Sequence, residues 1–364
     1  MQDKFFSGLK VLEFSSVLAG PAVGMFFAEL GADVIKIENK TTGGDVTRGW
    51  KHPSESPESP ISAYWCSVNW GKKHVFLDLS MPEDQHLAVE MALAADVVIS
   101  NFKPSSAKRM GVDAHTLRTA NPRLIYAQLS SFADPEDESP AFDALLQAEA
   151  GFMYMNGEAG GAPVKMPVAL IDLLAAHQLK EAVLLALLHR EKTGEGATVG
   201  TSLMESALAS LANQASSFLM TGHIPQRMGT RHPNIAPYGD MFRCADGQMI
   251  LLAVGTERQF RQLCVCIEQD NLTEEEKFAN NRARVQHRDD LNKIIGVALE
   301  QRTLNDWMAI FKNQGVPAAR IRDMKAVFEL PEARAMVLEE QAQDGMDTRR
   351  VKTVAFHMEF MPIV

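Results

Sequence analysis

Cysteine is scarce in this chain, four residues in 364, and none of Cys66, Cys244, Cys264 and Cys266 belongs to a CxxC pair or stands beside a histidine at metal-ligand spacing. That pattern argues against a disulfide framework and against a zinc site, and it fits reduced thiols in a cytoplasmic protein that holds no metal. Only Cys264-Val-Cys266 places two thiols close enough in sequence to touch one ion. Positive charge is also lacking. The formal charge of −10 gives the long-range field the wrong sign for nucleic acid or an anionic membrane, and leaves room only for a local basic pocket. No apolar run approaches the ~18 residues of a spanning helix, and the start, MQDKFFSGLKVLEF, has no basic-then-apolar leader. Repeats and low-complexity tracts are missing too. With 46% hydrophobic and 23% charged residues, disorder is not indicated. These absences describe a soluble, cytoplasmic, globular protein, too long for one core and therefore expected to form two domains.

What is present is an alternation of apolar runs and helical patterns. Lys10 to Phe14 reads as a strand, Ala19-Gly20-Pro21 opens a helix, and Asp33 to Glu38 is a second strand, a β-α-β unit. Further strands are expected at His74 to Leu79, Asp96 to Asn101 and Arg123 to Ser130, with a brief one at Ala197 to Val199. The fold class is therefore α/β with a parallel sheet. Glu38 lies where a dinucleotide-binding fold would hold a ribose, but SSVLAGPAVG lacks GxGxxG and Pro21 removes an N–H from the helix end. Lysines and an arginine (Lys36, Lys40, Lys72, Lys73, Lys103, Lys108, Arg109) recur near strand exits, either converging on a polyphosphate or simply solvated. The tract from Thr41 to Pro60 reads as a long loop, and Asp134 to Ser139 as an exposed acidic turn. Ser202 to Thr221 reads as one long helix. A strand, Asp-Gly turn and strand over Met241 to Val254 form a hairpin, followed by helices that include one over Thr273 to Ala279. The expected division is a large α/β domain over 1–222, a small α+β domain over 223–320 and a return segment over 321–364.

The stretch from Val168 to Gly194 (VALIDLLAAHQLKEAVLLALLHREKTG) runs from an apolar approach into a long helix, with Asp172 among Leu170, Ile171, Leu173 and Leu174. An acid there either caps the helix or works as a catalytic group. Two points favour chemistry. The helix dipole would hold the carboxylate ionised in apolar surroundings, and Ala175 stands where a capping box needs Glu or Gln.

Taken together, GLKVLEFSSVLAGPAVGMFFAELGADVIKIE, GGDVTRGW, SNFKPSSAKRMG, NPRLIYAQLSSF, LLQAEAGFM, ALIDLLAAHQLKEAVLLALLHREKTGEG and GVPAARIRDMKAVFELPEAR resemble the family III CoA-transferases, in the same order from Gly8 to about Arg334. The resemblance implies a homodimer wound as interlocked rings, each chain with a Rossmann-like large domain and a small domain. It implies coenzyme A, arriving as an acyl-CoA, and a small carboxylic acid as partners. The position of the family's nucleophile is Asp172 here. For the cofactor it points to Val17 and Ala19 after the first strand, to Asn69 and Lys72 around the adenosine, and to Asn101, Phe102, Lys103 and the phosphate-binding Arg109. Phe142 and Asp143 complete the set. Asn39 replaces an arginine of formyl-CoA transferase, which leaves that phosphate to Lys40. Leu18 replaces a glutamine beside the acyl group, which argues against oxalate.

One activated carboxylate suffices for CoA transfer: Asp172 would form an acyl-aspartyl anhydride and then aspartyl-CoA. Oxyanion donors are required, and the Gly-rich segment Asn156 to Pro163 is one source. Racemisation at the α-carbon, the chemistry of the related racemases, needs a second base, and Phe142 occupies the position of their histidine. Among other histidines, His232 in the Gly229 to Asp240 crossover is the one to watch. A third reading, a CoA-binding protein without turnover, follows from a chain that ends at Val364, short of the usual C-terminal family segment.

Overall fold

The structure is a computed structural model that describes residues 4–134, 137, 139, 141–341 and 345–359. Parts of the expected acidic turn (135, 136, 138) and of the last segment (360–364) lie outside the described residues. Two units are present: one formed by 1–152, 165–223 and 332–364, the other by 153–164 and 224–331. The Gly-rich segment thus folds with the second unit, away from the continuous boundary expected for it.

The first unit is built on six parallel strands, β1 (Lys10–Phe14), β2 (Asp33–Asn39), β3 (Lys72–Leu77), β4 (Val97–Ser100), β5 (Ile125–Ser130) and β6 (Thr198–Ser202), in the order β3-β2-β1-β4-β5-β6. All of β4, VVIS, is buried, as a central strand covered on both faces requires. The chain order reverses between β1 and β4, and in open α/β sheets the crevice beyond the carboxyl ends at such a point receives ligands. β3 begins two residues before the expected His74. The brief strand expected at 197–199 is the edge strand β6, held by β5 from Tyr126 to Ser130.

One face of the sheet carries the helix Ala19–Glu29 and the 24-residue helix Leu170–Thr193, about 36 Å long. The long helix buries Ile171, Asp172, Ala175, Ala176, Leu179, Lys180, Val183 and Ala186 along one stripe; each large aliphatic there contributes about 1.5–3 kcal/mol. It ends at Gly194, whose left-handed backbone (φ +80°) returns its N–H to Arg190 O at 2.8 Å. Beyond it, the single helix expected over 202–221 is two, Leu203–Ala209 and Ala212–Thr221, broken where Ala212 turns to φ +44°. The C-terminal segment joins this unit, with Glu29 accepting the Thr353 and Val354 N–H groups at 2.7 and 2.9 Å. It also carries the antiparallel pair β10 (Val337–Gln341) and β11 (Asp347–Val351).

The second unit has the three-stranded antiparallel sheet β7 (Tyr238–Arg243), β8 (Met249–Ala253) and β9 (Ala318–Arg320). Its core gathers Phe260, Leu263, Phe278, Leu291, Trp307 and Phe311. The helix expected over 273–279 is absent; Asn280 caps Asn281–Gln286 instead, accepting the Ala283 N–H at 3.0 Å. His232 packs edge-on against Tyr238 and its Nδ1 accepts the Asn234 N–H, a packing role. Among the described residues no helix is long and apolar enough to cross a membrane, and no group of three or more His, Cys, Asp or Glu side chains could hold a metal ion.

Candidate active site

Asp172 lies in the first turn of the long helix but does not cap it. The N-cap is Ala169, which makes no side-chain cap bond. The cap comes from a short helix upstream, Asp143–Glu149: Asp143 Oδ1 accepts the Ile171 N–H at 2.7 Å, and its Oδ2 accepts from Gln147 Nε2 at 2.6 Å. Gln147 Oε1 in turn accepts the Met166 N–H at 2.8 Å. One orphan donor of the helix end is thereby satisfied without Asp172. The Asp172 carboxylate, 6% exposed, takes part in no hydrogen bond or ion pair among the described residues.

The Asp172 carboxyl is harder to ionise than the dipole alone would make it. Burial, and next the nearby Asp143 charge, push its carboxyl up to about 7. Desolvation of a nearly enclosed carboxylate exceeds what one helix terminus returns. The same acids act on Tyr64, whose hydroxyl is pushed up to about 12 by burial first and then by Asp172, Asp143 and Asp45.

Asp172 opens on a cavity of about 560 Å³ at the carboxyl ends of β1, β4 and β5. Val17, Ala19, Asn101, Phe102, Lys103 and Phe142 line it, together with Ser16, Leu18 and Gln128. Gln128, unnoticed in the sequence, donates to the Phe102 and Leu129 carbonyls at 3.1 and 3.0 Å. A second cavity, about 1070 Å³, opens over the carboxyl ends of β2 and β3 and shares Ser16 and Phe102 with the first. Arg109, Arg48 and Lys51 line it.

Four expected cofactor residues line neither cavity. Lys40 is exposed on the turn Lys40–Thr42, where Asn39 accepts from Thr41 N at 2.9 Å. Asp143 is engaged as just described. Lys72 and Lys73 open β3 rather than leaving it, whereas Lys36, buried midway along β2, does line the second cavity. Lys72 Nζ contacts Glu13 at 2.8 Å, Pro21 O at 2.8 Å and Asn69 at 3.1 Å, while Asn69 Nδ2 donates to Trp65 O. Both are committed inside the fold.

Around them runs a buried charge network that the sequence did not disclose. Lys36 Nζ pairs with Glu13 at 2.8 Å and Asp45 at 3.1 Å. Burial opposes the charge on both Glu13 and Lys36, yet the pairing outweighs it: Glu13 is held below and Lys36 above its ordinary range. Lys72, buried and repelled by Lys36, is lowered to about 8. Gly24 admits Glu13, since a Cβ there would lie 2.0 Å from its carboxylate. Glu38, the possible ribose acid, is also consumed. It accepts from Asp45 N, Arg48 Nε and Nη2, and His74 Nδ1 at 2.6–2.7 Å; burial opposes its charge, but these bonds hold it well below the carboxylate range. Gly44 makes room, because a Cβ there would lie 2.4 Å from Glu38.

Comparison with known families now bears on this site. The sequence profile described as CoA-transferase family III matches residues 6–363. The chain belongs to that family. It is 36% identical over 354 residues to the succinate–glutarate CoA-transferase of Agrobacterium fabrum, covering 95% of this chain and 88% of the relative. It is 33% identical over 352 residues to the succinyl-CoA:mesaconate CoA-transferase of Haloarcula marismortui, covering 93% and 86%. A crystal structure of a CAIB/BAIF family protein from Brucella suis superposes with a TM-score of 0.84 at 34% identity, covering 98% of this chain and 93% of that one. The protein is thus a CoA-transferase of family III, with a CoA thioester as substrate.

Proposed function

We propose that the protein moves CoA from an acyl-CoA donor to a free carboxylic acid, with Asp172 as the nucleophile. The observation that carries this is a buried carboxylate, without a partner among the described residues, on a cavity at the sheet's switch point. One Asp172 oxygen attacks the thioester carbonyl carbon, the C–S bond breaks, and CoA leaves as thiolate. The thiolate then attacks the Asp172 carbonyl of the anhydride, releasing the donor acid and leaving aspartyl-CoA. An acceptor carboxylate displaces the thiolate again, and the thiolate takes the new acyl group, restoring Asp172. Water appears in no step, so enclosure of the carboxylate protects the anhydride from hydrolysis. Phe142 on the same cavity supports transfer over racemisation, because its ring cannot carry a proton.

The nucleotide end of CoA fits the second cavity with Arg109 at a phosphate, the pantetheine arm passing Ser16 and Phe102 toward Asp172. The names of the two relatives, with succinate, glutarate and mesaconate, favour C4–C5 dicarboxylic acids as donor and acceptor. A homodimer of interlocked rings is part of this reading, supported by apolar side chains left uncovered on helix faces, such as Leu185 at 68%, Leu219 at 79% and Met220 at 84% exposure. Incubation with succinyl-CoA, hydroxylamine trapping and peptide mass analysis tests the chemistry. Label at Asp172, lost in Asp172→Ala, is expected; turnover that survives in Asp172→Ala would end the proposal. Sedimentation as a monomer would remove the dimer.

A further inference from the structure

We infer that Asp45 and Lys36 are positioning residues that lock the turn between β1 and the helix Ala19–Glu29 in the form that serves Asp172. This rests on the transferase reading above and adds two residues that line the second cavity but do not touch the reacting atoms.

Val17 sits at φ +73°, a left-handed conformation that a β-branched side chain resists. Strain of this kind persists only where surroundings over-determine it, and it gathers at functional sites. Here the surroundings are explicit. The Val17 N–H donates to Asp45 Oδ2 at 3.2 Å. Ser16 N donates to Asn101 Oδ1 at 3.3 Å, and Asn101 Nδ2 returns a bond to Ser16 O at 3.1 Å. Lys36 Nζ donates to Ser15 O. Three consecutive residues of the turn are therefore each held by a side chain from another element.

Those side chains are themselves fixed. Asp45 accepts from Thr47 N at 3.0 Å and Thr47 Oγ1 at 2.8 Å, and pairs with Lys36 at 3.1 Å; Lys36 pairs with Glu13 at 2.8 Å. A buried ionic group is a poor source of stability compared with apolar packing. Its use here is directional: it presents one acceptor to one N–H in a conformation the chain would otherwise leave. Val17 and the next two residues, Leu18 and Ala19, line the cavity on which Asp172 opens, so relaxation of Val17 moves the wall that meets the thioester. Misplacement by about 1 Å is enough to cost a hundredfold in rate.

The test uses the full-length protein with Asp45→Ala and Asp45→Asn, each alone and combined with Val17→Gly, because glycine adopts positive φ without strain. Steady-state kinetics with succinyl-CoA and glutarate are read beside urea unfolding. Asp45→Ala is expected to lower kcat by about 30–100-fold with KM for succinyl-CoA within about threefold, and Val17→Gly to restore about tenfold of the lost kcat. Asp45→Asn, which keeps an acceptor, should lose about tenfold less. Unchanged kcat in Asp45→Ala, a change confined to KM, or a loss that Val17→Gly does not relieve overturns the proposal. If Asp45→Ala does not fold, the Asp45→Asn pair decides by the same rescue. A wild type that neither transfers CoA nor forms trapped Asp172 overturns the transferase reading itself, whereas an active wild type with a fully active Asp45→Ala overturns only this inference.

Discussion

Asp143 accepts the Ile171 N–H at 2.7 Å, one residue before Asp172. A helix terminus that would otherwise draw a cap from its own first turn is satisfied from outside, and the second acid arrives close enough to oppose ionisation of the first. Capping and tuning are therefore done by one side chain.

Asp172, at about 7, sets the pH dependence of the first chemical step. Acylation needs the carboxylate, so kcat/KM for the acyl-CoA is expected to rise with pH through about 7 and then level off. Below that point it should fall about tenfold per unit. Stability has the opposite sign. The folded protein keeps a proton here that the unfolded chain releases near its ordinary value of 3.8, so stability is lost as pH rises from there through about 7. Asp172→Asn should be inactive yet more stable than wild type at pH 8, by about 2–4 kcal/mol, with the difference gone at pH 4. Urea unfolding at the two pH values measures it.

Asp143→Asn removes the opposing charge but keeps an oxygen for Ile171. The inflection of kcat/KM should move to lower pH, so at pH 5.5 the variant keeps a larger share of its plateau rate than wild type. The fold should lose about 1 kcal/mol. Gln147 is oriented by the Met166 N–H, so its amino group faces residue 143, and an asparagine can satisfy only one of its two former donors. A pH–rate profile with the inflection unmoved would show that burial alone sets Asp172.

The sequence reached the sheet because each strand is a local apolar run and each crossover a periodic helix, signals that require no knowledge of distant partners. Asp172 was legible for the same reason, an acid alone in an aliphatic stretch. Lys72, expected near the adenosine, opens β3 beside Glu13, a pairing 59 residues apart that local sequence cannot show. Asp45 went unremarked and Lys36 was read only as one of the strand-end cations, since their meaning lies in pairs 28 and 21 residues apart, Asp45 with Val17 and Lys36 with Ser15. GGDVTRGW held the signal, yet only the fold shows that its glycine admits Glu38 and its acid meets a strained N–H.

Arg109 is exposed on the second cavity, and its one side-chain bond among the described residues is a long one to Ser106, 3.4 Å. A guanidinium so placed is available to a phosphate. Arg109→Ala should raise KM for the acyl-CoA about tenfold, equivalent to about 1.4 kcal/mol, with kcat within about twofold and a weaker salt dependence than wild type. Equal KM values for the two proteins would place the phosphates elsewhere.

Lys72 gives the sharpest contrast between a lysine that binds and one that builds. Its ammonium is enclosed by Glu13, Pro21 O and Asn69 and lines neither cavity, so Lys72→Met should leave KM for the acyl-CoA within about twofold. The loss falls on the fold: Glu13, Pro21 O and Asn69 each lose a buried donor, about 3–5 kcal/mol together. Its pH dependence is distinctive. Burial and Lys36 lower this ammonium to about 8 from 10.5, so between those values the native state has released a proton that the unfolded chain still binds, and wild-type stability gains as pH climbs. The gap between wild type and Lys72→Met should therefore widen from pH 8 toward pH 10. A tenfold rise in KM with unchanged unfolding would return Lys72 to the cofactor site and show that the Glu13 pair opens when CoA binds.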